Sequence, residues 1–333
     1  TFGERITTRY TYDANDNLSQ TTVRQRFHDA SGTGELGTPT SGIAARVSYA
    51  GFYYDLADRL TATVDVGTNG GTAWTRPGTV PTRSDTVLVT SQTYNAAGWV
   101  EATTDPKGIV SKTYYDNLGR TTKTIANYVD GTPSAADDQT TLYTYDASHV
   151  LTITVDMPAG QNDQVTQYVY GQSSGAIVSN DLLVTIKYPD ASTGAASEAA
   201  ADQEVFTYSA LGETLTKRDR NLTLHTYAFD LLGRLTSDTV TFPDGNSQNV
   251  DTAVLRIDTA YNTQGLVDTI TSFNNTDGAA NHIVNQVQNT YDGLGHLTRQ
   301  AQEHNGSANA NSLALQYTYS DSAHGARLTS MTY

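Results

Sequence analysis

Two short phrases in this chain carry the letters of reactive motifs. Gly171-Gln172-Ser173-Ser174-Gly175 spells G-x-S-x-G, in which a serine on a sharp strand-to-helix elbow becomes a nucleophile. Gly32-Thr33-Gly34-Glu35-Leu36-Gly37 spells the dinucleotide fingerprint G-x-G-x-x-G, which needs a helix to open directly after it so that backbone N–H groups meet the pyrophosphate. Neither context is supplied. Pro39 follows the glycine phrase at once, and the serine phrase occupies what reads as the turn after Tyr170. His28, His149, His225, His282, His296, His304 and His324 are scattered without metal-ligand spacing and read as turn or surface residues. Asp13 with Asp16, and Asp137 with Asp138, have the chemistry to hold Ca²⁺ weakly, but no position reproduces a calcium loop and solvated turns account for them. No catalytic residue, cofactor or metal is expected from these residues, and no enzyme.

The elements that carry these residues repeat. Aligned on an aromatic, one phrase recurs at Tyr12, Tyr54, Tyr94, Tyr115, Tyr145, Tyr170, Tyr208, Phe229, Tyr261, Tyr291 and Tyr319. With the aromatic as position zero, Asp or Asn usually stands at +1 and Leu or Val at +6, and glycine at +4 is supplied by Gly98, Gly119, Gly212, Gly233, Gly265 and Gly295. This is the grammar of a hairpin with a three-residue loop, a type I turn closed by a left-handed residue. Positions +1 and +5 then face each other, so Asp55 meets Arg59, Asp116 meets Arg120 and Asp230 meets Arg234. Zero faces +6, which predicts buried pairs of Tyr12 on Leu18, Phe229 on Leu235 and Tyr291 on Leu297. A carbohydrate-stacking role for the tyrosines is outweighed by this anchoring role.

The chain has 333 residues, 37% apolar and 17% charged, with its polarity mostly from Thr, Ser, Asn and Gln, which suits many short strands with one wet face. Twenty basic against 35 acidic residues give a net charge of −15, so a phosphate-binding surface and a nucleic-acid partner are not expected. Absence of cysteine excludes disulfides and thiolate metal sites. No run approaches the roughly 18 apolar residues of a helical membrane span, and membrane insertion is not expected.

The shortest interval between anchors is 21 residues, from Tyr94 to Tyr115 and from Tyr208 to Phe229. It holds the hairpin turn, a strand, a second turn and a strand. The second turn is Asp105-Pro106-Lys107-Gly108 in one interval and Asp219-Arg220-Asn221 in the other. Longer intervals enlarge it, as at Asp130-Gly131-Thr132-Pro133, at Phe242-Pro243-Asp244-Gly245, and in the Gly/Pro-rich inserts 28–45 and 67–84, which places the inserts along one edge. Helix is expected only as a turn or two in Ala195–Glu204. The chain is read as one array of about eleven repeats over residues 1–333.

Phe229-Asp230-Leu231-Leu232-Gly233-Arg234-Leu235-Thr236 and Tyr115-Asp116-Asn117-Leu118-Gly119-Arg120-Thr121-Thr122 resemble the YD repeat of the RHS family, and Asp105-Pro106-Lys107-Gly108 is similar to that family's linker between hairpins. The resemblance implies an all-β fold, tandem hairpins in a continuous spiralling sheet that forms a tube, barrel or shell. It also implies bacterial relatives that enclose toxins and animal teneurins that serve in adhesion. The Asp-Pro-x-Gly self-cleavage motif that ends toxin shells has no counterpart at the end of this chain, and Asp105 lies mid-chain in a linker turn.

The chain opens inside an incoming strand and stops inside an outgoing one. Arg327 to Tyr333 followed by Thr1 to Tyr12 makes an acceptable repeat with an anchor spacing of 26 residues, so the array is expected to continue, within a longer polypeptide or head to tail between copies. The expected role is a secreted or cell-surface bacterial structural element. The alternatives are a section of a cocoon around a toxin or effector cargo, and an adhesion module whose inserts bind surface glycans.

Overall fold

A computed structural model describes residues 5–128, 131–132, 134–172, 177–243, 250–320 and 326–333. Among them are 22 β-strands, three single 3-10 turns and no α-helix. The Ala-rich segment expected to be helical supplies one 3-10 turn, Ala200–Asp202, whose chain runs straight on into a strand. So short a stretch cannot offset the cost of nucleating an α-helix. No helix of the described residues is long and apolar enough to cross a membrane.

Contacts gather the chain into two units, residues 1–144 with 153–163, and residues 145–152 with 164–333. The division falls within the hairpin of β9 (Gln139–Tyr145) and β10 (Val150–Val155). The first unit holds β1 (Ile6–Tyr12), β2 (Leu18–Arg26), β3 (Ala45–Tyr54), β4 (Leu60–Gly67), β5 (Leu88–Tyr94), β6 (Val100–Thr104), β7 (Val110–Tyr115) and β8 (Thr121–Ala126), each antiparallel to the strand before and after it. The second holds β11 (Gln164–Gln172), β12 (Ser179–Lys187), β13 (Gln203–Tyr208), β14 (Thr214–Arg218), β15 (Leu224–Phe229), β16 (Leu235–Thr241), β17 (Arg256–Tyr261), β18 (Val267–Phe273), β19 (Ile283–Tyr291), β20 (Leu297–Glu303), β21 (Leu313–Tyr319) and β22 (Leu328–Thr332). These pair in the same unbroken sequential order.

The hairpins follow the spacing. Tyr12 opposes Leu18, Tyr54 Leu60, Tyr94 Val100, Tyr208 Thr214, Phe229 Leu235, Tyr261 Val267 and Tyr291 Leu297. Immediately upstream the register shifts by one, because −1 opposes +8, as Ala228 opposes Ser237. Position +7 is therefore a bulge. Its hydroxyl closes the gap: Thr236 Oγ1 donates to the Ala228 carbonyl, and Ser19, Thr61 and Thr298 do the same for Thr11, Tyr53 and Thr290, at 3.0–3.1 Å.

The expected burial of the anchor pairs is overturned. Tyr12 is 58% exposed, Leu235 is 37% exposed, and the other described anchors are half-buried. The core lies on the opposite face. Ala45, Val47, Tyr53, Ala62, Val64, Val66, Val89, Ile125, Phe273 and Ala301 are buried, and all project to the side of position −1. The cause is the inserts, which fold back over that face beyond the edge where they arise. Trp74 lies on Gly51, where an added Cβ would sit 2.7 Å from the indole. Gln20 receives the Arg76 N–H and donates to the Trp74 carbonyl, while Arg83 donates to the Val89 carbonyl and Ser91 Oγ. In the second unit Ala308 donates to Gln286, and Arg256 reaches the Thr276 carbonyl. Asp130 and Pro133 of one expected second turn, Asp244 and Gly245 of another, and Thr1 to Glu4 of the proposed continuation lie outside the described residues.

Candidate functional site

Among the described residues, those with the letters of reactive motifs do not assemble. Ser173, Ser174, Gly175 and His324 lie outside the described residues. Gly32 to Gly37 belong to a loop pinned by bridges between Leu36 and Ile43 and between Thr38 and Ser41. His28 and His304 are exposed. Asp13 accepts the N–H groups of Asn15 and Asn17, closing its own turn. Asp138 is buried beneath its loop, so the expected solvated turn is corrected there. Among the described residues no group of three or more candidate ligands is placed to hold a metal. What recurs with fixed geometry is the junction between one hairpin and the next.

Each junction begins with the turn. Asp230 N–H donates to the Arg234 carbonyl and Gly233 N–H to the Asp230 carbonyl, which closes the three-residue loop. Asp230 Oδ1 accepts the N–H groups of Leu232 and Arg234, and Oδ2 takes the Arg234 guanidinium through Nε at 2.7 Å and Nη2 at 2.6 Å. The Arg234 guanidinium, then its N–H, holds the Asp230 carboxyl below the usual carboxylate range. Asp55 with Arg59 and Asp116 with Arg120 repeat the pairing, as the spacing predicts. The linker turn at Asp105 has the same geometry, with Asp105 accepting from Lys107 and Ile109. This is an ordinary turn and gives Asp105 no reactive setting.

The side chain that the aspartate aims then reaches the next hairpin. Arg59 lies 4.3 Å over the Tyr94 ring and Arg234 4.2 Å over Tyr261, contacts worth about 0.5–1 kcal/mol at exposed sites. Trp99 packs 5.3 Å from Tyr115, His149 stacks at 4.3 Å on Tyr170, and His296 at 4.9 Å on Tyr319. His296 at +5, and His149 one residue earlier at +4, thus do the arginine's work, each held by its turn aspartate, Asp292 at 2.8 Å and Asp146 at 3.3 Å. The same side chains cover the turn glycine of the neighbour: Arg59 meets Gly98, Trp99 meets Gly119, Glu213 meets Gly233, Arg234 meets Gly265 and Leu266 meets Gly295. At Gly212 nothing lies within 4 Å of where a Cβ would be.

The anchor hydroxyl completes the junction. Tyr54 donates to Leu18, Tyr94 to Leu60, Tyr115 to Val100, Tyr208 to Leu183, Tyr261 to Leu235, Tyr291 to Val267 and Tyr319 to Leu297, always to a backbone carbonyl, at 2.6–3.0 Å. The carbonyl needs this donor because the strands diverge there. β16 pairs with β17 only from Ser237 onward, so Leu235 faces no N–H of β17. Sequence reasoning took the aromatics for core residues and missed this bond. The signal was present, since ten of the eleven anchors are tyrosine and only Phe229 lacks a hydroxyl.

No family model and no curated protein matches the chain. Among solved structures, the crystal structure of TcdB2-TccC3 is 12% identical with a TM-score of 0.41, over 93% of this chain and 16% of that chain. The Photorhabdus luminescens Tc holotoxin pore is 12% identical with a TM-score of 0.26, over 94% and 18%. A porin-like protein from Bacteroides uniformis is 12% identical with a TM-score of 0.25, over 69% and 86%. The chain spans less than a fifth of the length of the first two.

Proposed function

We propose that this chain is a non-enzymatic structural repeat protein, a section of a secreted or cell-surface bacterial β-tube, filament or shell, whose partners are copies of itself or further repeats of the same array. The observation that supports this reading is the junction: the tyrosine hydroxyl and the cation or ring after the turn glycine or its equivalent reach the neighbouring hairpin, and the turn aspartate holds that side chain in place. Arg59, Arg234, His149 and His296 are engaged in holding one ribbon to the next. Such an arrangement transmits position along a sheet.

Electron microscopy of the purified protein tests the reading, with the Tyr94→Phe/Tyr261→Phe variant alongside. Regular extended or curved assemblies that become irregular in the variant are the expected result. Isolated particles with no order in either sample would overturn it. A closed particle containing additional density would replace it with the cargo-enclosing reading. Glycan binding lost on shortening inserts 28–45 and 67–84 would replace it with the adhesion reading.

A further inference from the structure

Leucines stand at several hairpin tips with little cover. A single exposed leucine needs no explanation, but a cluster does. Leu211 is 84% exposed, Leu231 105% and Leu232 77%. They lie on the tips of hairpins β13–β14 and β15–β16, neighbours in the second unit through pairing of β14 with β15.

The junction between these two tips differs from the others. Phe229 has no hydroxyl to give. Glu213 stands where Arg59 and Arg234 stand elsewhere, accepting from Ser209 Oγ at 2.9 Å and lying 3.2 Å from where a Cβ on Gly233 would be. No cation faces Glu213 among the described residues. Three exposed leucines thus share this pair of tips with a carboxylate that lacks a counter-charge.

Two observations narrow the occupant. The second unit has 18 acidic and 8 basic residues, a balance of −10, which at these tips favours a basic partner over a second acidic copy. Adjacent tips are two strand spacings apart, about 9.6 Å. A helix repeats one face every seven residues, about 10.5 Å.

We infer that the edge formed by Leu211, Glu213, Leu231 and Leu232 docks a basic amphipathic helix of a partner protein. The leucines seat its apolar stripe, and a flanking lysine or arginine reaches Glu213, supplying the cation that this junction lacks.

The probe is a synthetic helix of about 20 residues with leucines at heptad spacing and lysine flanks, titrated onto the full chain by fluorescence anisotropy. Binding is expected to weaken at least about tenfold in Leu231→Ser/Leu232→Ser and in Glu213→Gln, and to fall in about 0.5 M salt. The substituted leucines are exposed, so urea midpoints should match the parent chain. No binding by the parent chain, or equal binding by the variants, overturns the inference. So does light scattering that shows a dimer dissolved by the leucine variant, which assigns the surface to a second copy. Sedimentation with phosphatidylcholine vesicles that the leucine variant abolishes assigns it to a lipid surface and overturns it equally.

Discussion

The hydroxyl of Tyr54 donates to the carbonyl of Leu18 at 3.0 Å, tying the second hairpin to the first. One residue earlier, the Tyr53 hydroxyl is buried with no partner among the described residues. Tyr54→Phe should therefore destabilise the first unit by about 0.5–1.5 kcal/mol, because it strips a carbonyl of its donor. Tyr53→Phe should be neutral or stabilising. Urea midpoints of the two variants check the order, and the reverse ranking would refute the junction bond.

Gly119 and Gly108 both hold a left-handed backbone, φ +81° and +88°. Trp99 lies 3.0 Å from where a Cβ on Gly119 would be, while Gly108 faces open space. Gly108→Ala should cost about 1–2 kcal/mol from backbone strain alone. Gly119→Ala should cost more, and the excess should vanish in the Trp99→Ala background, as measured by a double-mutant cycle.

Leu222 holds φ +64° in the turn closed by Asp219, a conformation that a branched side chain rarely adopts. Leu222→Gly is expected to raise stability by about 1 kcal/mol through release of strain, less the entropy that glycine loses on folding. Thermal unfolding of the second unit measures it, and a lower midpoint would contradict the turn geometry.

Acid should loosen the array. The N–H groups of His149 and Ser148, with the His149 imidazole, hold the Asp146 carboxyl at about 2, and the Ser192 hydroxyl with the Thr193 N–H holds Asp190 at about 2. Arg59, Arg234 and His296 hold Asp55, Asp230 and Asp292 below the ordinary range. Folded values lie under the unfolded value of about 3.9, so this stability is fully present above about pH 4 and is lost as the pH falls toward about 2. Urea midpoints measured across that window should drop, and Asp146→Asn should remove part of the slope.

The letters disclosed the hairpin because a short-range turn sets its own register: Asp230, Gly233 and Arg234 determine it within five residues. They did not disclose which face carries the core. Tyr53 and Tyr54 are the same residue type, and only the return of Trp74 and Arg76 over the sheet buries the first. That return depends on an insert with no periodicity of its own. Phe229 and Leu235 looked like a core pair by composition, yet Leu235 is 37% exposed and Phe229 only half-buried. The hydroxyl relay was legible only as a preference for tyrosine over phenylalanine, whose meaning needs the distance from Tyr261 to Leu235.

The hydroxyl and ring contacts of a junction connect a hairpin only to the one beside it, so the array can be shortened by cutting and splicing. Removing Asn95 to Tyr115 would bring Tyr94 directly before Asp116 and rewrite a complete turn. A chain made this way changes length by whole rungs, with its remaining steps still matched.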